Sequence, residues 1–337
     1  RAPVDIVCVV DVSGSMGSEA HVQNDTGGLE SDGLTILDLV CHAIKTIVKT
    51  LEPKDRFGLV KYSSSAEQVI GLVDMTDHMK EEVIIKLNTL SPGGQTNLWD
   101  GLYRGMEIIR NRNDDKKLGR NASVLLLTDG LPNINPPLGI QPMLRKYYDE
   151  GKLECSIDTF GFGYNLQSNI LNDLAKDGNG NYNFIPDSGF VGTAFINTLA
   201  NILSKISSNS VFTVEFENDV ELSPDSVIHG GYETTITTWG VQINAGPIQY
   251  GQTKDLVLKI RIPKESLDKS WMKVSIQFKD IQSNDNVILS ENTTNQIINS
   301  NEVEYQLIRQ LTVDHINEMT IAYETVYRDA SRTDSYS

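Results

Sequence analysis

The stretch VDIVCVVDVSGSMG, residues 4–17, decides the fold of the first part of the chain. Its opening run is short, continuous and rich in valine, which is typical of a strand buried on both faces of a parallel sheet. The run ends at Asp11, and Ser13 and Ser15 follow with glycines beside them. Taken alone, these polar residues fit a turn or a helix cap as well as they fit a ligand site.

Beyond this stretch the sequence alternates between helical spacings and short apolar runs. The apolar stripes predict helices at residues 34–51, 79–90, 98–109, 143–148, 170–176 and 191–207. The apolar runs predict further strands at residues 56–64, 67–75, 123–130, 153–163 and 181–187, the second of them as an antiparallel edge strand. The alternation predicts an α/β fold, a doubly wound, mostly parallel six-stranded sheet with helices on both faces.

The pattern changes near residue 207. Phe212, Val214 and Phe216 alternate with polar residues, and similar runs cover residues 234–243, 255–263 and 271–280. This spacing predicts an antiparallel, β-sandwich-like domain. From Glu302 the spacing is helical again, and we expect its apolar face to be buried against one of the two preceding parts. The predicted domains are a doubly wound domain at residues 1–207, a β-rich domain at 208–300 and a C-terminal helical segment at 301–337.

Composition restricts the classes of partner. The formal net charge is −16 without a basic patch, which argues against nucleic acid, and no apolar run approaches the roughly 20 residues needed for membrane insertion. The cysteines Cys8, Cys41 and Cys155 have no paired spacing, so we expect buried thiols and favour an intracellular, cytoplasmic location. Because the chain begins at Arg1, we expect a fragment whose missing ends could carry targeting signals.

Oxygen-bearing side chains follow three separate segments that a parallel sheet would bring to one edge. Asp11, Ser13 and Ser15 follow the first strand, Thr96 lies in the loop GGQTN, and Asp129 follows the strand SVLLLT with Thr128 beside it. Ligands of such sheets bind outside the carboxyl ends of the strands. An all-oxygen set suits a hard cation, Mg²⁺, Ca²⁺ or Mn²⁺, and a six-coordinate ion would keep one position for an outside ligand.

The same residues carry a resemblance to a known family. DVSGSMG, GGQTNLWDGL and LLLTDGLPN together resemble the metal-ion-dependent adhesion site of the von Willebrand factor type A domain, over roughly residues 1–207. The resemblance implies that Ser13, Ser15 and Thr96 ligate the metal, with Asp11 and Asp129 often acting through water. It also implies that the open position takes a glutamate or aspartate of a partner protein.

A looser resemblance extends over more of the chain. The first strand, the segment PKDRFGLVKYSS and a β-rich segment followed by a helix are similar to plant RING-type ubiquitin ligases that carry an A domain, and to proteins that join an A domain to a Hint module. No RING cysteine pattern and no Hint nucleophile stands in this sequence. The resemblance is therefore limited to the segments that these two classes of protein have in common.

The leading hypothesis is a non-catalytic, divalent-cation-dependent protein-binding module. One alternative is a scaffold part of a larger protein, whose metal site mainly stabilises the fold. Another is a Mg²⁺-dependent phosphatase of the haloacid dehalogenase type, but such enzymes need a second acid where this chain has Ser13. A serine hydrolase is disfavoured because neither Ser13 nor Ser15 lies in a nucleophile-elbow pattern.

The segment at residues 18–33 is longer than the resemblance predicts. It contains Glu19, Asp25, Glu30 and Asp32. We interpret it as a solvated surface loop, with Asp32 capping the helix that follows. A flap over the site and a second cation site are the alternatives.

Overall fold

A computed structural model describes residues 1–23, 29–112, 119–151, 153–163, 166–224, 226, 232–292 and 301–333. The chain packs as two units, Arg1–Ser208 with Ile281–Asn284, and Asn209–Asp280 with Asp285–Ser337. The C-terminal helix thus groups with the β-rich unit. The domain boundaries given above stay predictions.

The first unit alternates strands and helices, as the sequence predicts. Its elements are β1 Val4–Asp11, β2 Glu19–Gln23, β3 Leu29–Thr35, α1 Ile36–Thr50, β4 Arg56–Tyr62, β5 Ala66–Asp74, α2 Asp77–Leu87, α3 Leu98–Arg110, β6 Asn121–Thr128, α4 Ile140–Asp149, β7 Ser156–Phe162, α5 Ser168–Asp177, β8 Tyr182–Ile185, α6 Ser188–Ser204 and β9 Lys205–Ser207. The predicted sixth helix was too long at its C-terminal end, because residues 205–207 are extended.

The central sheet has six strands in the order β5-β4-β1-β6-β7-β8. All neighbours are parallel except the edge strand β5, which runs antiparallel to β4. The predicted doubly wound, mostly parallel sheet is therefore confirmed. β1 lies between β4 and β6, so its end, the end of β4 and the end of β6 meet at the same edge of the sheet.

Strand β1 is buried on both faces, and its side chains alternate between two cores. Ile6, Cys8 and Val10 belong to the core beneath α1, α2 and α6. Val7 and Val9 belong to the core beneath α3, α4 and α5. The continuous apolar run of the sequence reflects this two-sided burial.

Helix α1 begins one turn later than the predicted cap. Thr35 is the N-cap, its Oγ1 accepts a hydrogen bond from the Asp38 backbone N–H at 3.1 Å, and Asp38 Oδ2 accepts one from the Thr35 N–H at 2.9 Å. This reciprocal capping box satisfies two N–H groups at the start of the helix. Asp32 lies within β3, so its assignment as the cap was wrong.

Helix α3 packs on the sheet through two glycines. A Cβ at Gly101 would lie 2.5 Å from Cδ1 of Tyr62, and one at Gly105 would lie 2.4 Å from Cγ2 of Val9. Both partners are fully buried. The absence of a side chain at these positions therefore sets how closely the helix approaches the strands.

We expect Gly105→Ala to lower the free energy of unfolding by about 1–3 kcal/mol, because overpacking against Val9 outweighs the roughly 1 kcal/mol that alanine gains in helix propensity. The matched control is Gly192→Ala in α6, where a Cβ would meet no atom within 4 Å. Urea denaturation should show the control as neutral or stabilised. Equal stability of the two variants would contradict this packing argument.

A buried ion cluster lies at the opposite edge of the sheet from the end of β1. Asp5, near the start of β1, is fully buried and accepts hydrogen bonds from the guanidinium groups of Arg56, Arg112 and Arg120. The Asp5 carboxylate oxygen lies 2.8 Å from Nε of Arg56 and 2.8 Å from Nε of Arg120. One carboxylate thus connects β1 to β4, to the residue next to β6 and to the segment after α3.

The second unit is antiparallel, as predicted. Its elements are β10 Ser210–Phe216, β11 Glu221–Leu222, β12 Glu233–Ile236, β13 Gly240–Asn244, β14 Ile248–Gln249, β15 Ile260–Arg261, β16 Met272–Lys279, β17 Asn286–Asn292 and α7 Asn301–Thr333. A five-stranded sheet has the order β12-β13-β10-β16-β17, and β11 pairs with β15.

The predicted strand at residues 255–263 is only two residues long in the structure. Leu256 and Leu258 nevertheless pack against the core of the sheet, with Phe212, Val214 and Phe216. The second layer of the predicted sandwich is thus mostly irregular chain. The alternating apolar residues correctly identified a segment that packs on the sheet, but most of that segment is not a strand.

Helix α7 confirms the predicted helix, but not the burial of its apolar stripe. Val303, Leu311 and Met319 are exposed. Among residues 301–323, the part of α7 whose side chains are described, the one buried residue is Gln310, whose Nε2 donates to the backbone oxygen of Asp255 at 2.9 Å. Among the described helices, none combines the length and the apolar character required to cross a bilayer.

Candidate metal centre

The five predicted ligands come from three loops at the carboxyl edge of the sheet. Asp11 is the last residue of β1, Ser13 directly precedes the short 3-10 turn Gly14–Gly17, and Ser15 lies within that turn. Thr96 precedes α3, and Asp129 follows β6. Backbone hydrogen bonds join the first two loops. The N–H of Gly14 donates to the oxygen of Gly94 at 3.2 Å, and the N–H of Gly93 donates to the oxygen of Val12 at 2.7 Å.

Side-chain contacts link four of these five residues. Ser15 Oγ donates to Oδ1 of Asp129 at 2.9 Å, and Ser13 Oγ and Ser15 Oγ share a hydrogen bond at 3.2 Å. The backbone N–H of Ser13 donates to Oδ1 of Asp11 at 2.8 Å. The structure therefore brings the hydroxyl groups of the first loop against the carboxylate that follows β6.

The backbone of Thr96 is held by hydrogen bonds to the segment after β6. Its N–H donates to Oδ1 of Asn133 at 2.8 Å, and its carbonyl oxygen accepts from the N–H groups of Asn133 and Ile134. A Cβ at Gly130 would lie 3.6 Å from Ser15 Oγ and 3.6 Å from Thr96 Oγ1, so Gly130 lies beside both hydroxyl groups. Because the backbone of Thr96 is held in this way, the side-chain rotamer alone determines where its hydroxyl group points.

Two further side chains donate hydrogen bonds to the Asp11 carboxylate. Thr128 Oγ1 donates to its Oδ2 at 2.6 Å, and the Tyr62 hydroxyl donates to the same oxygen at 3.4 Å. The sequence placed Thr128 beside Asp129, but it gave no role to Tyr62 or Asn133. Tyr62 is the last residue of β4, directly opposite Asp11 in the sheet register. The sequence pattern predicted this strand but not its register, so it could not identify the contact.

Burial changes the proton affinity of both carboxylates. It raises the pKa of Asp11, although hydrogen bonds from Thr128 and Ser13 oppose the shift. Burial, together with the nearby Asp11, also raises the pKa of Asp129 to about 6, against the hydrogen bond from Ser15. Neither carboxylate takes part in an ion pair within the described part of the chain. Two buried acids without a basic partner favour a cation among them.

In the presence of a chelator, the protein should lose stability as the pH rises from about 4 to about 6. Asp129 keeps its proton to about pH 6 when folded, whereas its ordinary pKa is 3.8. The folded state therefore binds more protons in this window, and the free energy of unfolding falls as the pH rises. Urea denaturation across this range should show a smaller decrease for Asp129→Asn. Identical pH profiles of the two proteins would contradict this assignment.

A cavity of about 690 Å³ adjoins the candidate site. Ser15, Thr96 and Asp129 line it on one side, and Glu19, Ala20 and His21 line it on another. The last three belong to β2, which pairs with β3 in an antiparallel hairpin.

The interpretation of residues 18–33 as a loop was therefore wrong for most of the segment. The hairpin borders the site, which agrees with the flap alternative. Asp25 lies outside the described residues, and those that are described contain no group of three or more His, Cys, Asp or Glu residues placed to hold a metal. The alternative of a second cation site thus gains no support from the described part of the hairpin.

Comparison with protein families gives one match over most of the first unit. The model of the von Willebrand factor type A domain matches residues 5–198. Among curated proteins, inter-alpha-trypsin inhibitor heavy chain H3 of Mesocricetus auratus is 27% identical over 183 residues, which are 53% of this chain and 18% of that protein. E3 ubiquitin-protein ligase WAV3 of Arabidopsis thaliana is 21% identical over 288 residues, which are 83% of this chain and 34% of that protein.

The chain thus spans less than a fifth of the length of the heavy chain and about a third of the plant ligase. Among solved structures, a von Willebrand factor type A protein from Catenulispora acidiphila superposes with a TM-score of 0.62 at 15% identity, over 87% of this chain and 66% of that one. This likeness supports the fold. The resemblance to A-domain proteins and to a plant ligase is confirmed, whereas the resemblance to Hint proteins stays a prediction.

Proposed function

Since the chain belongs to the von Willebrand factor type A family, we propose that its first unit is a non-catalytic protein-binding module that depends on a divalent cation. The residues that would hold the cation are Asp11, Ser13, Ser15, Thr96 and Asp129. The cation would be Mg²⁺, with Ca²⁺ or Mn²⁺ as alternatives, because all the donor atoms are oxygens. The partner would be a protein segment that presents a glutamate or an aspartate.

One observation gives the main support for a cation site. Two buried carboxylates, Asp11 at the end of β1 and Asp129 directly after β6, lie among hydroxyl groups, and a hydrogen bond of 2.9 Å joins Ser15 to Asp129. The two negative charges balance a divalent cation, while the hydroxyl groups add none. A bound cation would supply a positive centre that attracts an outside carboxylate. The chain's own contribution is to hold these oxygens at one place before the partner arrives.

The position of Asp11 also argues against the phosphatase alternative. Its side chain is fully buried, and both carboxylate oxygens already accept hydrogen bonds, Oδ1 from Ser13 and Oδ2 from Thr128. A nucleophile has to reach a substrate phosphorus atom, and this carboxylate faces its own protein. A binding role needs only that it hold the other groups in place.

The test uses an array of synthetic peptides, each with one central glutamate, and a matched array with glutamine at that position. In excess Mg²⁺, the protein should bind a subset of the glutamate peptides and none of their glutamine partners. Adding a chelator should abolish the binding. If the chelator lowers only the melting temperature and leaves binding intact, the scaffold alternative with a stabilising metal is correct.

We expect Thr96→Ala to weaken binding of glutamate peptides about tenfold or more, and to weaken Mg²⁺ binding less. The backbone of Thr96 is held by Asn133 and Ile134, so the substitution removes the hydroxyl group without releasing the loop. Losing one hydrogen-bonding or ligating group is worth ~1.5–3 kcal/mol when a charge is involved. Thr96→Ser is the control, because it keeps the hydroxyl group, and both affinities can be measured by calorimetry. Equal binding by the alanine and serine variants would remove Thr96 from the site.

A further inference from the structure

The cavity beside the candidate metal centre has an apolar floor. Leu39, Phe162 and Ile185 line it and are at least nine-tenths buried, while Ala20 forms part of the wall contributed by the hairpin. Leu131 stands at the mouth and is 51% exposed. Leu39, Phe162 and Ile185 also belong to the core beneath α1, α2 and α6, so the cavity of about 690 Å³ opens directly onto the apolar core.

From this arrangement we infer that the site recognises an acidic residue together with a large aliphatic or aromatic residue close to it in the partner's sequence. The inference rests on the proposed function and makes it more specific. The acidic residue would meet the cation, and the apolar side chain would enter the cavity between the β2–β3 hairpin and the ends of β7 and β8.

The position of the cavity determines the spacing. Ser15, Thr96 and Asp129 belong both to the candidate metal centre and to the lining of the cavity, so the two subsites are continuous. A peptide residue spans about 3.3–3.6 Å when extended. A side chain within about three positions of the acidic residue can therefore reach the apolar floor.

The lining also indicates a peptide as the occupant. The volume lies within the range of about 300–1,000 Å³ that is typical of ligand pockets, which is more than one side chain fills. Glu19 is exposed at the lining and offers acceptor oxygens, which backbone N–H groups of a peptide can use. A simple apolar acid would bring no such donors.

The experiment varies the residues around the central glutamate of the peptide array. In excess Mg²⁺, peptides with leucine, isoleucine or phenylalanine within three positions of the glutamate should bind about tenfold or more tightly than the same peptides with serine there, as expected for burial of one large apolar side chain. Two variants test the cavity. Ala20→Phe fills it, and Leu131→Ser makes its mouth polar at a residue that is 51% exposed.

Both variants should lose the preference for apolar neighbours and keep their affinity for Mg²⁺ in the absence of peptide. The matched control is Ile85→Ser in α2, another exposed apolar residue that does not line the cavity, and it should keep the preference. Should Ala20→Phe fail to fold, Leu131→Ser still decides the question.

Three outcomes would overturn the inference. The first is equal binding of leucine and serine peptides, and the second is an unchanged preference in Leu131→Ser. The third is binding of 4-phenylbutyrate as tight as that of the best peptide, which would identify the cavity as a site for small apolar acids. The absence of any Mg²⁺-dependent binding to glutamate peptides would instead refute the proposed function itself, so the two failures are distinguishable.

Discussion

Replacing Asp5 by alanine should lower the free energy of unfolding by about 3–5 kcal/mol. The substitution leaves the guanidinium groups of Arg56, Arg112 and Arg120 together without the carboxylate that all three contact. Arg56 and Arg112 are themselves more than nine-tenths buried, so water cannot replace the lost partner. An uncompensated buried charge is among the most destabilising changes that a single substitution makes.

Urea denaturation of the two proteins measures this effect. Glu67→Ala is the control, because Glu67 pairs with Lys61 at 2.9 Å on the surface, with side chains that are 67% and 37% exposed. Such exposed pairs contribute about 0–1 kcal/mol. If Asp5→Ala costs no more than the control, the cluster does not hold the sheet together.

Replacing Asp11 should abolish both binding activities of the proposed site. We expect Asp11→Asn to weaken Mg²⁺ binding by about 100-fold, the upper end of the ~10–100-fold range for residues that support metal ligands, because it also removes one of the two balancing negative charges. Binding of glutamate peptides should fall below detection for the same reason. Asparagine is preferable to alanine here, because Asp11 is fully buried and its loss would leave the Thr128 hydroxyl and the Ser13 N–H without an acceptor.

Calorimetry with Mg²⁺, followed by peptide binding in excess Mg²⁺, checks this expectation. Asp77→Asn on the exposed start of α2 is the matched control and should bind both normally. Circular dichroism should show that the Asp11→Asn protein is folded. A folded Asp11→Asn protein that still binds glutamate peptides would mean that the partner surface lies elsewhere.

Much of the first unit could be predicted from sequence because its signals are local and mutually consistent. The valine-rich run of β1, the stripes of α1 and α3, and the polar residues after β1 and β6 each follow directly from burial and periodicity. The five candidate ligands were identified in this way, through the topology that brings strand ends together. Their role in binding a metal stays a proposal that the geometry supports.

The parts that could not be predicted depend on packing between distant segments. Nothing in the spacing of residues 18–33 distinguishes a loop from the hairpin, because its pairing is with itself and its side chains are largely polar. The contact of Tyr62 with Asp11 depends on strand register. The apolar residues of α7 indicated a helix correctly, but amphipathic spacing alone does not determine whether a partner covers them.

The central position of β1 has a consequence for synthesis of the protein. Its neighbours in the sheet are β4, which begins at Arg56, and β6, which ends at Thr128. At ~5–20 residues per second, the ribosome needs on the order of ten seconds to pass from β1 to the end of β6. During that interval the run VDIVCVV has no strand on one side, and it offers an apolar, unpaired edge to any other chain. We therefore expect nascent β1 to be bound by a chaperone until β6 has emerged, and a slower codon sequence before Thr128 to increase aggregation.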